Sequence, residues 1–308
     1  MKKRVKLGLV GLAVGIAGVS GATALGNFIY DQLVARQARE EDPESPFQEG
    51  RRWLREHTDG REATIVGVDG TALRARVLYS VPETQNWVIC IHGYRDEGSF
   101  MGHFARHYAE RGWNVVIPDL RGHGKSEGNY IGFGWDDRLD IVAWCSWIAR
   151  REPEAKIVLH GVSMGAAATL MTTGGALMPN VKAAISDSAF TRVSDLLRHV
   201  YQKGQSNYGP FAPAFAALCA AVRRRAKYDL RKADAVAAVR NSRIPTLFIH
   251  GVADELVPAS MMAELYENAR CPKEFLWVPK AGHVRGVIVD PELYWSRVDG
   301  CLERILAK

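Results

Sequence analysis

The stretch "LHGVSMGAAATL", residues 159–170, sets a polar residue, Ser163, between Gly161 and Gly165, where an apolar run stops and a run of small helix-forming residues begins. Gly-Val-Ser-Met-Gly is a G-x-S-x-G pattern. Between a strand (157–161) and a helix (164–177) it reads as a sharp elbow. There the serine backbone is strained, the glycines let strand and helix pass closely, and the hydroxyl projects above the sheet edge.

Working outward, the rest of the chain keeps the same rhythm. "ATIVGV" and "ALRARVLY", joined at Asp69-Gly70, read as a hairpin. "NWVICIHG", "WNVVIPDL", "AKIVLHG", "VKAAISDS", "IPTLFIHG" and "KEFLWVP" follow, all short, β-branched and apolar. Helical patterns lie between most of them, at about 98–111, 135–151, 164–177, 259–270 and 291–307. Continuous apolar strands alternating with helices predict an α/β protein with a mostly parallel sheet buried on both faces. One connection breaks the rhythm: residues 191–244 form an insertion with helical patterns of its own, read as a small helical cap.

A serine hydroxyl is a weak nucleophile until a base takes its proton and an acid steadies that base. In a sheet of this kind both follow the serine in the chain. "FIHGVADELVP" supplies Asp254 in the turn after one strand, and "WVPKAGHVRG" supplies His283 after the last. Carboxyl ends of strands are where open α/β sheets bind ligands. An attacked carbonyl oxygen also needs donors, and the N–H groups of Met164 and Tyr94 are expected to supply them.

The segments "HGYRDEGS", "DLRGHGKSEG", "GVSMG", "HGVADELVP" and "AGH", in this order, resemble the α/β-hydrolase superfamily. They are most similar to its branch of bacterial membrane-anchored hydrolases, monoglyceride-lipase-like esterases and serine aminopeptidase-like proteins. The resemblance covers about residues 60–308. It implies the α/β-hydrolase fold, Ser163 as nucleophile, His283 as base and Asp254 as its partner, with no metal or organic cofactor. The cap matches no one subgroup, and the branch fixes no substrate.

Other residues compete for these roles. His92 and His123 sit in glycine-containing loops and are expected to organise the oxyanion region by hydrogen bonding. His160 and His250 end strands, where a structural hydrogen bond is the default. Asp119 and Asp187 also end strands, and Asp187 is the better substitute acid. The five cysteines are scattered without a CxxC, so neither a disulfide framework nor a zinc site is suggested.

The net charge is +6, from 40 basic and 34 acidic residues. Four of the basic residues, Lys2, Lys3, Arg4 and Lys6, precede any acidic one, so the body of the protein is nearly neutral. That composition gives no basic stripe for nucleic acid. Residues 7–30 carry no charge and are long enough to cross a bilayer as a helix. Two readings fit: an uncut anchor with the domain outside the cytoplasm, or a signal peptide cleaved after Ala22-Thr23-Ala24. The expected organisation is an anchor at 1–35, a juxtamembrane linker at 36–60 with a short helix near Trp53, and a hydrolase domain at 61–308. "VRRRAK", 222–227, reads as a solvated helix face, or alternatively one facing anionic lipid.

The expected activity is hydrolysis of a carboxylic ester, thioester or amide through an acyl-enzyme, on a small acyl substrate that includes lipid-derived ones. Acyl transfer and aminopeptidase action use the same machinery. A silent binding scaffold of this fold would be expected to lack one of the three side chains, and all three are present.

Overall fold

The computed structural model describes residues 19–37, 42–58, 61–80, 84–204 and 211–307. Two helices come first, α1 (Val19–Leu33) and α2 (Gln48–His57), then the strands β1 (Glu62–Val66), β2 (Ala72–Leu78) and β3 (Asn86–Ile91). From there α3 (Gly102–Glu110), β4 (Asn114–Pro118), α4 (Asp137–Arg151), β5 (Lys156–Val162), α5 (Met164–Thr173) and β6 (Val181–Asp187) alternate. The insertion carries α6 (Val193–Gly204), α7 (Phe211–Arg225) and α8 (Ala235–Asn241). β7 (Thr246–Gly251), α9 (Ala259–Asn268), β8 (Lys273–Val278), α10 (Gly286–Val289) and α11 (Pro291–Leu306) complete the chain.

The eight strands form one sheet in the order β1-β2-β4-β3-β5-β6-β7-β8. The first two pairings are antiparallel and the other five parallel. Both faces are covered, as continuous apolar strands require. In β3, Trp87, Ile89 and Ile91 enter one core beside Trp144, Cys145 and Ala166 of α4 and α5. Val88 and Cys90 enter the other, beside Phe104, Tyr108 and Tyr294 of α3 and α11. All five cysteines are buried free thiols.

Two segments expected to lie outside the domain are packed on it. Residues 36–60, read as a linker, carry α2, whose Leu54 is buried in the second core with Phe47 just before it. The helix α1 lies across α7, so closely that a Cβ on Gly26 would come 2.3 Å from the Ala217 carbonyl oxygen. Tyr30 and Val34 are buried, Arg225 stacks 3.9 Å over the Tyr30 ring, and the same guanidinium meets Asp31 at 2.7 Å. Among the described residues, the packed unit thus takes in α1 and α2 besides the domain expected from residue 61. Its cause is a long-range one, since α1 finds its apolar partner almost 200 residues later.

The expected span at 7–30 is divided by this docking. Residues 7–18 lie outside the described residues, and the helix that follows is docked on α7, with Tyr30 buried and Ala22, Thr23 and Ala24 exposed. Among the described residues no helix is long and apolar enough to cross a membrane. The basic cluster lies exposed at the surface as a solvated helix face, where Arg223, Arg224 and Arg225 also pair with Asp229, Asn27 and Asp31.

Candidate active site

The elbow forms as its sequence requires. Ser163 stands between β5 and α5 with φ 54° and ψ −119°, a conformation sparsely populated by non-glycine residues. Its N–H donates to the Asp187 carbonyl oxygen at 2.8 Å. A Cβ at Gly165 would lie 2.3 Å from the Ile91 carbonyl oxygen, so only glycine lets α5 start this close to the end of β3. That approach sets Gly93 against the serine, where an added Cβ would be 3.2 Å from the Ser163 Cβ.

His283 and Asp254 come to the same rim. The Ser163 Oγ lies 2.7 Å from His283 Nε2, and His283 Nδ1 lies 2.7 Å from Asp254 Oδ2. Asp254 follows β7 and His283 follows β8, and the two turns are tied by the Ala253 N–H to the Ala281 carbonyl at 2.9 Å. The Asp254 side chain is fully buried, while the imidazole is 21% exposed at the site's mouth. An ionised carboxylate only accepts, so the proton sits on Nδ1 and leaves Nε2 to accept the serine hydroxyl.

The carboxylate is well satisfied. Oδ1 accepts the Leu256 and Val257 N–H groups, both at 2.9 Å, and Oδ2 has His250 Nε2 at 3.3 Å besides His283. Burial alone would raise this carboxyl. The hydrogen bonds from His250, His283 and the Val257 N–H outweigh it and hold the group well below the usual carboxylate range.

The substitute acid is committed elsewhere. Asp187 is buried, accepts Ser188 Oγ–H at 2.8 Å and Tyr294 Oη–H at 2.9 Å, and burial pushes its carboxyl up despite both bonds. His160 joins the same buried chain, 3.1 Å from Tyr294 Oη and 2.9 Å from Tyr108 Oη. Asp119 accepts the Gly98 and Lys125 N–H groups at 2.7 and 2.8 Å.

His92 and His123 fix the loop carrying Tyr94. His92 Nε2 accepts the Leu120 N–H at 3.0 Å, so Nδ1 donates to the Gly93 carbonyl at 2.8 Å. His123 repeats the pattern, accepting the Arg95 N–H at 3.2 Å and donating to the Arg121 carbonyl at 2.9 Å. Burial lowers both imidazoles, His123 to about 3, so both stay neutral in these tautomers.

The cap flanks the site. From α6, His199 Nε2 and Lys203 Nζ reach the Glu255 carbonyl, beside the acid, at 3.0 and 3.1 Å. On the other side α7 carries α1. The last helix of the insertion, α8, packs on α5 and α9 instead of over the site. Three contributors were not read from the sequence: His250 as a second neighbour of Asp254, Ser188 behind the His283 turn, and α1. A strand-end histidine four residues before the acid was a visible signal for the first alone. Among the described residues, no group of three or more His, Cys, Asp or Glu side chains is placed to hold a metal ion.

A mostly parallel eight-stranded sheet with a serine elbow at the end of β5 and an acid and a histidine after β7 and β8 defines an α/β-hydrolase. Comparison with known proteins agrees with the α/β-hydrolase fold. The family described as serine aminopeptidase, S33, matches residues 82–232. The chain is 26% identical over 228 residues to the uncharacterized protein YqkD of Bacillus subtilis, covering 72% of this chain and 73% of that one. It is 24% identical over 236 residues to an uncharacterized membrane protein of Saccharomyces cerevisiae, covering 76% of each. Among solved structures, the Pyrococcus furiosus esterase Pf2001 superposes with a TM-score of 0.64 at 25% identity, over 79% of this chain and 92% of that chain.

Proposed function

We propose that the protein is a serine hydrolase that cleaves a carboxylic ester through an acyl-enzyme. The observation that carries this reading is the unbroken hydrogen-bonded chain from Asp254 through His283 to the Ser163 hydroxyl, both links at 2.7 Å. As Ser163 Oγ attacks the acyl carbon, His283 Nε2 takes its proton, and Asp254 stabilises the imidazolium. The Met164 and Tyr94 N–H groups receive the charge on the carbonyl oxygen. The imidazolium then protonates the leaving alkoxide, and water repeats the sequence to release the acid. The likeness to an esterase of solved structure favours the ester over the amide.

Replacing Ser163 by alanine tests the reading. We expect kcat on a short-chain p-nitrophenyl ester to fall by about five to six orders of magnitude, with loss of fluorophosphonate labelling. Undiminished turnover by S163A would overturn it. A second reading, aminopeptidase action, has the S33 match in its support, and graded aminoacyl amides offered beside the esters separate the two. Acyl transfer to an alcohol or amine is read by adding acceptor to the same assay.

Attachment to a membrane, with the domain outside the cytoplasm, belongs to the same proposal. Its support is the basic start followed by uncharged residues and the description of the yeast relative as a membrane protein. Recovery of the full chain in the alkali-washed membrane fraction is expected. A chain shortened to begin near residue 25 and found in the medium would favour secretion after cleavage.

A further inference from the structure

We propose that the carboxyl end of α1 is a positioning element for the oxyanion loop, acting through the Tyr94 hydroxyl and the Arg95 guanidinium. The inference rests on the reading of the Tyr94 N–H as an oxyanion donor.

The loop needs outside restraint. Arg95, the residue after the donor, has φ 55°, in the left-handed region that a side chain disfavours. Such a conformation persists only where the surroundings over-determine it. His92 and His123 hold this loop from within the domain through its carbonyl and N–H groups. Its side chains are held from the opposite direction. Tyr94 Oη–H donates to the Leu33 carbonyl at 2.8 Å, and the Arg95 guanidinium donates to the Gln32 carbonyl. The Arg95 Cζ also lies 5.0 Å over the Tyr94 ring, and the Phe133 ring lies 5.5 Å from it.

The chemistry of both bonds suits a helix end. Gln32 and Leu33 stand in the last turn of α1, where carbonyls lack intrahelical donors and the helix dipole is negative. A cation and a phenol fill those vacancies, with Gln37 Nε2 sharing the Gln32 carbonyl at 3.2 Å. Burial pushes the Tyr94 phenol up to about 12, so it remains a donor throughout the working range of the enzyme.

A strut must itself be fixed, and α1 is fixed independently of this loop. Gly26 is seated against Ala217 of α7. Beyond Leu33, the Ile131 N–H reaches the Val34 carbonyl at 2.7 Å, and Arg36 donates to the Ser126 and Gly124 carbonyls at 2.8 and 2.6 Å. The donor is thus gripped between the histidines and the helix, so its direction depends on both.

A full-length chain carrying Y94F, R95A or both tests this, since each keeps the backbone N–H and removes one tie. Turnover of a short-chain p-nitrophenyl ester should fall in kcat by about tenfold or more, less than the loss of a whole donor, with KM within about threefold. R95K, which keeps a cation at the helix end, should recover most of that loss. Gly26→Val, which drives a branched side chain at the Ala217 carbonyl, should give the same kcat-selective loss. Its effect should add little to that of the Y94F/R95A double variant. A double variant with kcat within about twofold of the parent, or full additivity with Gly26→Val, would overturn the proposal. Turnover surviving in S163A would instead overturn the reading beneath it.

Discussion

Asp254→Asn is the substitution whose outcome the geometry fixes most closely. Two N–H groups, of Leu256 and Val257, converge on Oδ1 at 2.9 Å. In asparagine the amide oxygen must take that place, because an NH2 there would face two donors. The amide nitrogen is then forced into the Oδ2 position, 2.7 Å from His283 Nδ1. Two donors cannot share that bond, so the imidazole proton moves to Nε2 and confronts the Ser163 hydroxyl with a donor where an acceptor is needed. The fold survives while the base is lost. By analogy with triad enzymes trapped in the wrong tautomer, kcat should fall about ten-thousandfold, or roughly 5.5 kcal/mol of barrier. Steady-state hydrolysis of a p-nitrophenyl ester at neutral pH, with circular dichroism to verify folding, measures it. A folded D254N with kcat within tenfold of the parent would refute the tautomer argument and Asp254 as the orienting acid.

Asp187→Asn should leave turnover within about tenfold of the parent, while Tyr294→Phe, which removes one hydrogen bond from each of Asp187 and His160, should cost about 1–3 kcal/mol in chemical denaturation. Gly251→Ala sets a Cβ 2.3 Å from the Ala281 carbonyl, so it should push the Asp254 and His283 turns apart, with kcat falling and stability dropping by about 1–3 kcal/mol. Asp137 is buried, and burial and its neighbour Asp140 push its carboxyl up to about 7. Its contribution to stability is therefore complete below its unfolded value near 4 and is lost as pH rises through about 7. D137N can keep the Gly134 N–H bond and does not ionise, so its melting temperature should gain on the parent's between pH 5 and pH 8. A constant difference over that range would contradict the raised carboxyl.

Much of the site was legible because each part has a local signature. The elbow needs glycines at fixed offsets, buried parallel strands need unbroken apolar runs, and the acid and histidine follow strand ends in chain order. The hairpin at Asp69-Gly70 is likewise a matter of neighbouring residues, and Ala63–Ala75 and Ile65–Leu73 pair as it requires. What escaped is what distance along the chain conceals. Residues 19–30 are apolar for a bilayer and for α7 alike, and composition does not distinguish the two hosts. Phe47 and Leu54 lie in a charged stretch, and only the approach of α3 shows that one face of α2 is apolar. His250 and His283 both follow or end strands near Asp254. His283 turns Nδ1 to the carboxylate and Nε2 to the serine, whereas His250 turns Nε2 to the carboxylate and to the Val257 carbonyl.

The seating of Gly26 on Ala217 joins residues about 190 positions apart, and synthesis runs in one direction. At ordinary elongation rates of roughly 5–20 residues per second, the first helix leaves the ribosome some 10–40 s before its partner exists. Throughout that interval the surface that Ala217 will cover at Gly26 waits for its partner. A lipid surface or a chaperone encountered then competes with α7 before α7 has been made. The contact of α1 with α7 therefore forms late in synthesis, after six of the eight strands have been made.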